Sequence, residues 1–151
     1  LGCAREAWEQ LFKVLPFTHD TVTTSPYVMP NSYGQNIPKN IDGESVLDWQ
    51  TGSSNVILKT LIKYVFGIDP QLTGLWIQPS NWLHYKSYDF EIKIRACKVL
   101  VTYKNEGIGK RTFIVNDMKQ RSKYNENMNI DRLWIPESEL QKETLRISII
   151  D

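Results

Sequence analysis

Residues 48–66 read Asp-Trp-Gln-Thr-Gly-Ser-Ser-Asn-Val-Ile-Leu-Lys-Thr-Leu-Ile-Lys-Tyr-Val-Phe, and this stretch decides how the chain is divided. Apolar side chains recur through its second part, at Val56, Leu58, Leu61, Ile62, Val65 and Phe66. Lys59 and Lys63 fall on the opposite face. This spacing predicts an amphipathic helix over about residues 54–66.

The polar turn before this helix, Thr51-Gly52-Ser53-Ser54, has two interpretations. Ser53, Ser54 or Asn55 can cap the first turn, because a short side-chain oxygen accepts a hydrogen bond from an unpaired backbone N–H there. The same turn offers backbone donors, a hydroxyl group and the positive end of the helix dipole, which suit an anion. Local chemistry therefore leaves both an ordinary capped helix and an anion site open.

A second amphipathic helix is predicted at the start of the chain. Apolar residues recur at intervals of three and four over residues 1–15, and Pro16 ends the pattern. Since one further helix covers such a wide apolar stripe poorly, we expect additional helices upstream and take the chain for part of a longer protein. Residues 17–50 are polar and contain three prolines, which predicts a long functional loop with side chains suited to sugar contact.

From Leu75 onward the pattern changes to short alternating or β-branched runs that turn residues separate. The predicted strands are residues 75–77, 88–94, 98–103, 112–115, 133–135 and 145–150. Several short strands at such spacing favour an antiparallel β-sandwich, with one face of residues 88–94 buried. Trp76, Trp82 and Trp134 are expected to pack in its core.

Composition and charge exclude several classes of protein. Eighteen basic and seventeen acidic residues leave a net charge of +1, which gives no electrostatic case for nucleic acid or an anionic membrane. No apolar run approaches the ~20 residues of a membrane span. Cys3 and Cys97 lie far apart without metal-ligand spacing, so no metal site is predicted and both are expected to be buried, reduced thiols of a cytoplasmic protein.

Ordered blocks of this sequence resemble the C-terminal end of glycoside hydrolase family ninety-four, the inverting glycoside phosphorylases. The blocks are Pro26-Tyr27-Val28, Gly43-Glu44, Trp49-Gln50-Thr51-Gly52-Ser53, Tyr64-Val65-Phe66-Gly67-Ile68-Asp69-Pro70, Gly74-Leu75-Trp76-Ile77-Gln78-Pro79 and Trp82. They cover about residues 5–103, and their order and separations are similar to those of the family. Residues 48–55 are most similar to the 1,2-β-oligoglucan phosphorylase branch.

The resemblance implies an α+β architecture in two parts. Residues 1–70 would be the last helices of an (α/α)6 catalytic barrel, and residues 71–151 a C-terminal antiparallel β-sandwich. Thr51 and Gly52 would bind phosphate, together with an arginine and a histidine from earlier in the family's chain. Asn31 would contact the sugar where the bond is cut, although the family has the longer glutamine there. Ser25 also replaces the family's glutamate.

The reaction that the resemblance implies is a single displacement. Phosphate attacks the anomeric carbon of a β-linked gluco-oligosaccharide while an aspartic acid protonates the leaving oxygen, which yields α-glucose 1-phosphate. The family's acid lies upstream, so this chain would hold no catalytic residue, would need no cofactor and would be inactive without the rest of the parent chain. Homodimer formation stays open. The alternatives are a non-catalytic carbohydrate-binding or scaffold module and the phosphorylase-like domain of a cyclic β-1,2-glucan synthase.

Overall fold

The computed structural model describes residues 4–19, 27–39, 41–46, 52–82 and 85–151. Contacts divide the chain into two compact units, one of residues Arg5–Leu61 and one built on Ile62–Asp151. The first unit contains the α-helices and a small hairpin, and the second is almost entirely β-structure. None of the described helices has the length and apolar composition needed to cross a membrane.

The first unit contains helix α1 (Ala4–Lys13), strands β1 (Ser32–Asn36) and β2 (Ile41–Val46), and helix α2 (Ser53–Thr60). The predicted first helix is confirmed, and a short 3₁₀-helix, Pro16–His19, follows it. The antiparallel β1–β2 hairpin corrects the expectation of a structureless connection over residues 17–50. Its polar sequence lacks the apolar alternation that identifies a strand, whereas the backbone pairing that forms it does not depend on that alternation.

The predicted central helix is present, but its cap and its final turn differ from the prediction. Gly52 occupies the cap position, and its carbonyl oxygen accepts the backbone N–H of Asn55 at 3.1 Å. The prediction of a polar cap among residues 53–55 is therefore wrong. Glycine is accepted at the cap because it is only slightly inferior to polar residues there. From Leu61 to Val65 the helix widens into a π-helix. Gly67, with a φ of +72°, begins the chain's turn into the sheets.

The described part of the second unit contains nine strands: β3 (Ile68–Gln71), β4 (Gly74–Ile77), β5 (Ser87–Ile94), β6 (Cys97–Lys104), β7 (Thr112–Val115), β8 (Met118–Gln120), β9 (Lys123–Asn125), β10 (Ile130–Pro136) and β11 (Thr144–Ile150). One sheet has the order β3-β4-β10-β9, and the other has the order β5-β6-β11-β7-β8. All six predicted strands are present. Strands β3, β8 and β9 were not predicted, because they are short. Pro70 in β3 is tolerated because that strand lies at a sheet edge.

The sheets are mixed rather than purely antiparallel. Strand β11 runs parallel to β6, from Thr144 opposite Lys98 to Ile150 opposite Lys104, while its other neighbour, β7, is antiparallel. The predicted antiparallel sandwich is therefore corrected to a β-sandwich-like unit with one parallel pair among the described strands. Strand direction depends on the path of a long connection, which the local pattern of residues 145–150 does not contain.

Both sheets contribute to one apolar core. Its fully buried members include Ile68, Leu75, Ile77, Val99, Phe113, Leu145 and Ile149. Strand β5 turns one face towards this core, as predicted, with Phe90 and Ile92 packed against it. Cys97 is buried and free, and this burial raises the pKa of its thiol. The prediction of a buried thiol is thus confirmed for Cys97, while Cys3 lies outside the described residues.

Candidate functional sites

The predicted phosphate ligands fall at the start of α2, where the structure describes one of the two. Gly52 is exposed, and among the described residues, its chain neighbours aside, no atom lies within 4 Å of the position that a Cβ would take. Its φ of −84° is one that any residue adopts, so the backbone conformation itself does not require glycine. What glycine provides here is open access to the helix N-terminus. Thr51 lies outside the described residues.

The predicted sugar contact, Asn31, lies at the base of the hairpin. Its backbone N–H donates to the carbonyl oxygen of Val46 at 3.1 Å, and the residue is exposed. Asn31 and Gly52 thus belong to different elements of the same unit, and neither lines the two clefts found in the second unit. The role of Asn31 in sugar binding stays a prediction.

Polar groups of the region between α1 and β1 have structural partners. The His19 ring makes a hydrogen bond of 2.6 Å through Nε2 to the carbonyl oxygen of Lys13, the last residue of α1. The Tyr33 hydroxyl donates to the carbonyl oxygen of Val14 at 3.0 Å, and its ring lies 4.5 Å from that of His19. These contacts satisfy carbonyl groups at the C-terminal end of the helix. They account for His19 without a metal.

The first unit (Arg5–Leu61), called the helical unit below because it contains α1 and α2, buries little of its apolar surface. Pro16 and Pro30 are its only buried residues among those whose burial the structure describes. Apolar side chains are exposed on both helices and after α1: Phe12 39%, Phe17 50%, Val56 65% and Leu58 56%. Amphipathic helices in a folded protein normally pack such side chains against another element.

Trp76 and Trp134 form a pair on the outer face of the four-stranded sheet. They lie opposite each other in the β4–β10 register, with ring centroids 4.8 Å apart and planes inclined by 56°. The Arg132 guanidinium lies 4.1 Å from the centroid of the Trp76 ring. A Cβ at Gly74 would come within 2.5 Å of the Trp134 ring, so this indole lies directly over the glycine.

The predicted core role of the three tryptophans is therefore wrong. Trp76 and Trp134 are half-buried and alternate with the core side chains of their strands, and Trp82 is also half-buried. Because successive side chains of a strand point to opposite faces, the core positions on both sides of Trp76 place its indole outside the core. A shallow cleft of about 320 Å³ adjoins the pair.

A larger cleft of about 350 Å³ lies between the loop that follows β6 and the β9–β10 hairpin. Polar or aromatic side chains line it, among them those of Asn81, Asn105, Lys110, Tyr124, Asn129 and Asp131. We call it the polar cleft. These residues come from three separate segments, so their chain positions do not reveal that they form one surface. The only signal in the sequence is a set of asparagine-containing turns, which by themselves indicate strand boundaries.

A buried ion pair forms part of the wall of the polar cleft. The Arg111 side chain is 6% exposed, and its Nε and Nη2 donate to the Asp151 carboxylate at 2.6 and 2.7 Å. The same guanidinium donates to the carbonyl oxygens of Pro79 at 2.6 Å and Ser80 at 3.1 Å. The Tyr103 hydroxyl donates to Asp151 at 3.0 Å. This network connects β6 and the end of β11 to the segment after β4 and rigidifies that wall.

Comparison of the chain with protein-family models finds no matching family, and comparison with curated proteins finds no matching protein. The resemblance to the family ninety-four phosphorylases therefore rests on the sequence blocks.

Proposed function

We propose that this chain is the C-terminal part of an inverting glycoside phosphorylase, a cytoplasmic enzyme that cleaves β-linked gluco-oligosaccharides with inorganic phosphate. In this proposal residues 1–70 complete an (α/α)6 barrel, and the mostly β residues 71–151 are its C-terminal domain. The general acid belongs to an upstream part of the parent polypeptide. The products are α-glucose 1-phosphate and a shortened sugar.

The observation that carries the proposal is the uncovered apolar surface of the helical unit. Val56 and Leu58 on α2 and Phe12 on α1 are exposed, and α2 contains no buried residue. Burying one such side chain contributes ~1.5–3 kcal/mol, so a helical unit that leaves them exposed forgoes this stabilisation. Further helices packed against α1 and α2, as in a helical barrel, would supply it.

Access at the start of α2 supports the phosphate role of this turn. Gly52 has open space where a side chain would be, beside the backbone N–H groups of the first helical turn. An anion placed there would also gain from the positive end of the helix dipole. The sequence resemblance assigns the neighbouring Thr51 hydroxyl to the same phosphate.

The test is to express the parent polypeptide and measure glucose 1-phosphate release from β-gluco-oligosaccharides with and without phosphate. We expect phosphate-dependent release by the parent polypeptide and none by residues 1–151 alone. Thr51→Val should weaken use of phosphate by ten- to hundredfold, since a hydrogen bond to a charged group contributes ~1.5–3 kcal/mol. Gly52→Ala should raise the KM for phosphate, because its methyl group would fill the open space beside the helix N-terminus. Alanine is a poorer cap than glycine, so a loss of about 1 kcal/mol in the free energy of unfolding is expected as well.

Lys59→Ala is the matched control, because Lys59 is also exposed on α2 but lies in its last turn. It should leave the phosphate kinetics unchanged. Absence of glucose 1-phosphate from the parent polypeptide would contradict the proposal and favour a non-catalytic carbohydrate-binding module. Unchanged phosphate kinetics in both Thr51→Val and Gly52→Ala would remove the assignment of this turn.

A further inference from the structure

We propose that the polar cleft is a binding site for a neutral oligosaccharide, separate from the turn assigned to phosphate. The cleft lies wholly within the second unit, whereas Thr51 and Gly52 belong to the first. Its volume of about 350 Å³ falls at the lower end of the ~300–1,000 Å³ typical of small-molecule sites. The inference goes beyond the proposed function and does not depend on it.

The hydrogen-bonding groups of the cleft match a polyol. Asn81 and Asn129 each present an amide, which both donates and accepts, and Asp131 adds a carboxylate acceptor. The Lys110 ammonium is a pure donor. Sugar hydroxyl groups also donate and accept at the same oxygen, so a ring with adjacent hydroxyls can use amide, carboxylate and ammonium groups together.

The charges of the cleft favour a neutral ligand. Lys110 and Asp131 line the cleft with opposite charges, and the Arg111 guanidinium is neutralised by its ion pair with Asp151. A phosphate group would meet the Asp131 carboxylate, and a simple cation would meet Lys110. Within the described ranges, no group of three histidine, cysteine or acidic side chains is arranged to hold a metal ion.

Tyr124 supplies an aromatic surface at the cleft. Its side chain is 57% exposed, and its hydroxyl donates to the Asn129 side-chain oxygen, which fixes the ring on the β9–β10 hairpin. An aromatic ring with a polar tip can pack against the C–H face of a sugar while its hydroxyl stays hydrogen-bonded. The hydrogen bond leaves the two amide N–H donors of Asn129 for a ligand.

The loop opposite Tyr124 is shaped for close approach. Gly107 and Gly109 both have left-handed φ values, +71° and +73°, and no described residue other than their chain neighbours has an atom within 4 Å of either Cβ position. The Gly107 N–H donates to the Asn105 side-chain oxygen at 2.9 Å, which holds the loop in this conformation. Two positions without side chains in this wall let a sugar ring approach the backbone there.

The experiment is calorimetric titration of the 151-residue chain, without phosphate, using cellotetraose, laminaritetraose and a β-1,2-linked glucotetraose. Because this chain has no catalytic acid in either proposal, binding is measured without turnover. We expect saturable binding of at least one tetrasaccharide with a Kd of about 1 mM or tighter. Tyr124→Ala should weaken it by about two- to twelvefold, the loss expected for one aromatic contact of ~0.5–1.5 kcal/mol. Asp131→Asn should also weaken it, because it removes the charged acceptor.

Two further variants separate a ligand contact from a folding defect. Tyr64→Ala removes a tyrosine of similar exposure, 53%, outside the cleft and should leave the affinity unchanged. Tyr124→Phe retains the ring and should bind within about threefold of the unsubstituted chain, because the hydrogen bond that it loses is made to Asn129 and not to the ligand. No saturable binding of any of the three sugars, or equal weakening by Tyr64→Ala and Tyr124→Ala, would overturn the inference. Binding by this chain together with a parent polypeptide that releases no glucose 1-phosphate would overturn the proposed function alone.

Discussion

Gly67→Ala should destabilise the protein far more than Gly107→Ala, although the two glycines have almost the same backbone conformation. Their φ values are +72° and +71°, which are unfavourable for alanine at both positions. A Cβ at Gly67 would lie 2.1 Å from the carbonyl carbon of Gln78 and from the nitrogen of Pro79. At Gly107 no atom of the part of the chain that the structure describes, its chain neighbours aside, lies within 4 Å of the same position. The pair therefore separates the effect of conformation from that of close packing.

The expected magnitudes follow from these two environments. A left-handed alanine costs ~1–2 kcal/mol, which is the whole effect expected at Gly107. At Gly67 the added methyl group meets backbone atoms, which cannot rotate away as a side chain does, and overpacking adds ~1–3 kcal/mol. The backbone N–H of Gln78 donates to the Gly67 carbonyl oxygen at 2.8 Å, so relief of the clash would also strain this hydrogen bond. We expect a loss of about 2–5 kcal/mol in the free energy of unfolding for Gly67→Ala.

Urea unfolding followed by tryptophan fluorescence measures the difference. With a slope of ~1–3 kcal/mol per molar urea, the midpoint of Gly67→Ala should lie about 1 M below that of Gly107→Ala. Equal midpoints at equal slopes would refute the argument from close packing, because the left-handed conformation alone would then explain both variants.

Arg111→Met should lower the free energy of unfolding by about 3–5 kcal/mol, because it leaves the Asp151 carboxylate largely buried without its ion pair. Arg95→Met is the control. Because the Arg95–Glu137 ion pair is well exposed, its loss should lower the free energy of unfolding by less than about 1 kcal/mol. Similar urea midpoints for the two variants would contradict this contrast. Stability should also fall as the pH rises from about 10 towards 12, since burial, followed by the nearby Asp151 carboxylate, raises the pKa of Tyr103 from 10.0 to about 12. As the pH rises, the Tyr103 phenol loses its proton in the unfolded chain before it does so in the folded protein, so the stabilisation present below pH ~10 is lost above it. Tyr103→Phe should reduce this pH dependence of the free energy of unfolding, which urea titrations at about pH 9 and pH 11 measure. An unchanged dependence in Tyr103→Phe would argue against this cause.

The elements found from the sequence are those with strong local periodicity. Helix α1 has an apolar stripe that ends before a proline, and β5 alternates strictly between exposed and less exposed positions. The β1–β2 hairpin was missed because its polar residues carry no such alternation. Of the predicted site residues, Gly52 is confirmed only as a residue with open space at the start of a helix. Its role and those of Thr51 and Asn31 stay predictions.

The sequence by itself determined the division into a helical part and a β-rich part, because apolar periods of 3.6 and 2 are recorded within short segments. Only the tertiary structure decided which face of a strand is the core face, and so placed Trp76 and Trp134 outside the core. It alone placed β11 parallel to β6, and it assembled the polar cleft from the segments around residues 81, 105–111 and 124–131. The physical reason is the same in each case: register, strand direction and cleft formation depend on contacts between residues far apart in the chain, and no local pattern of side chains contains them.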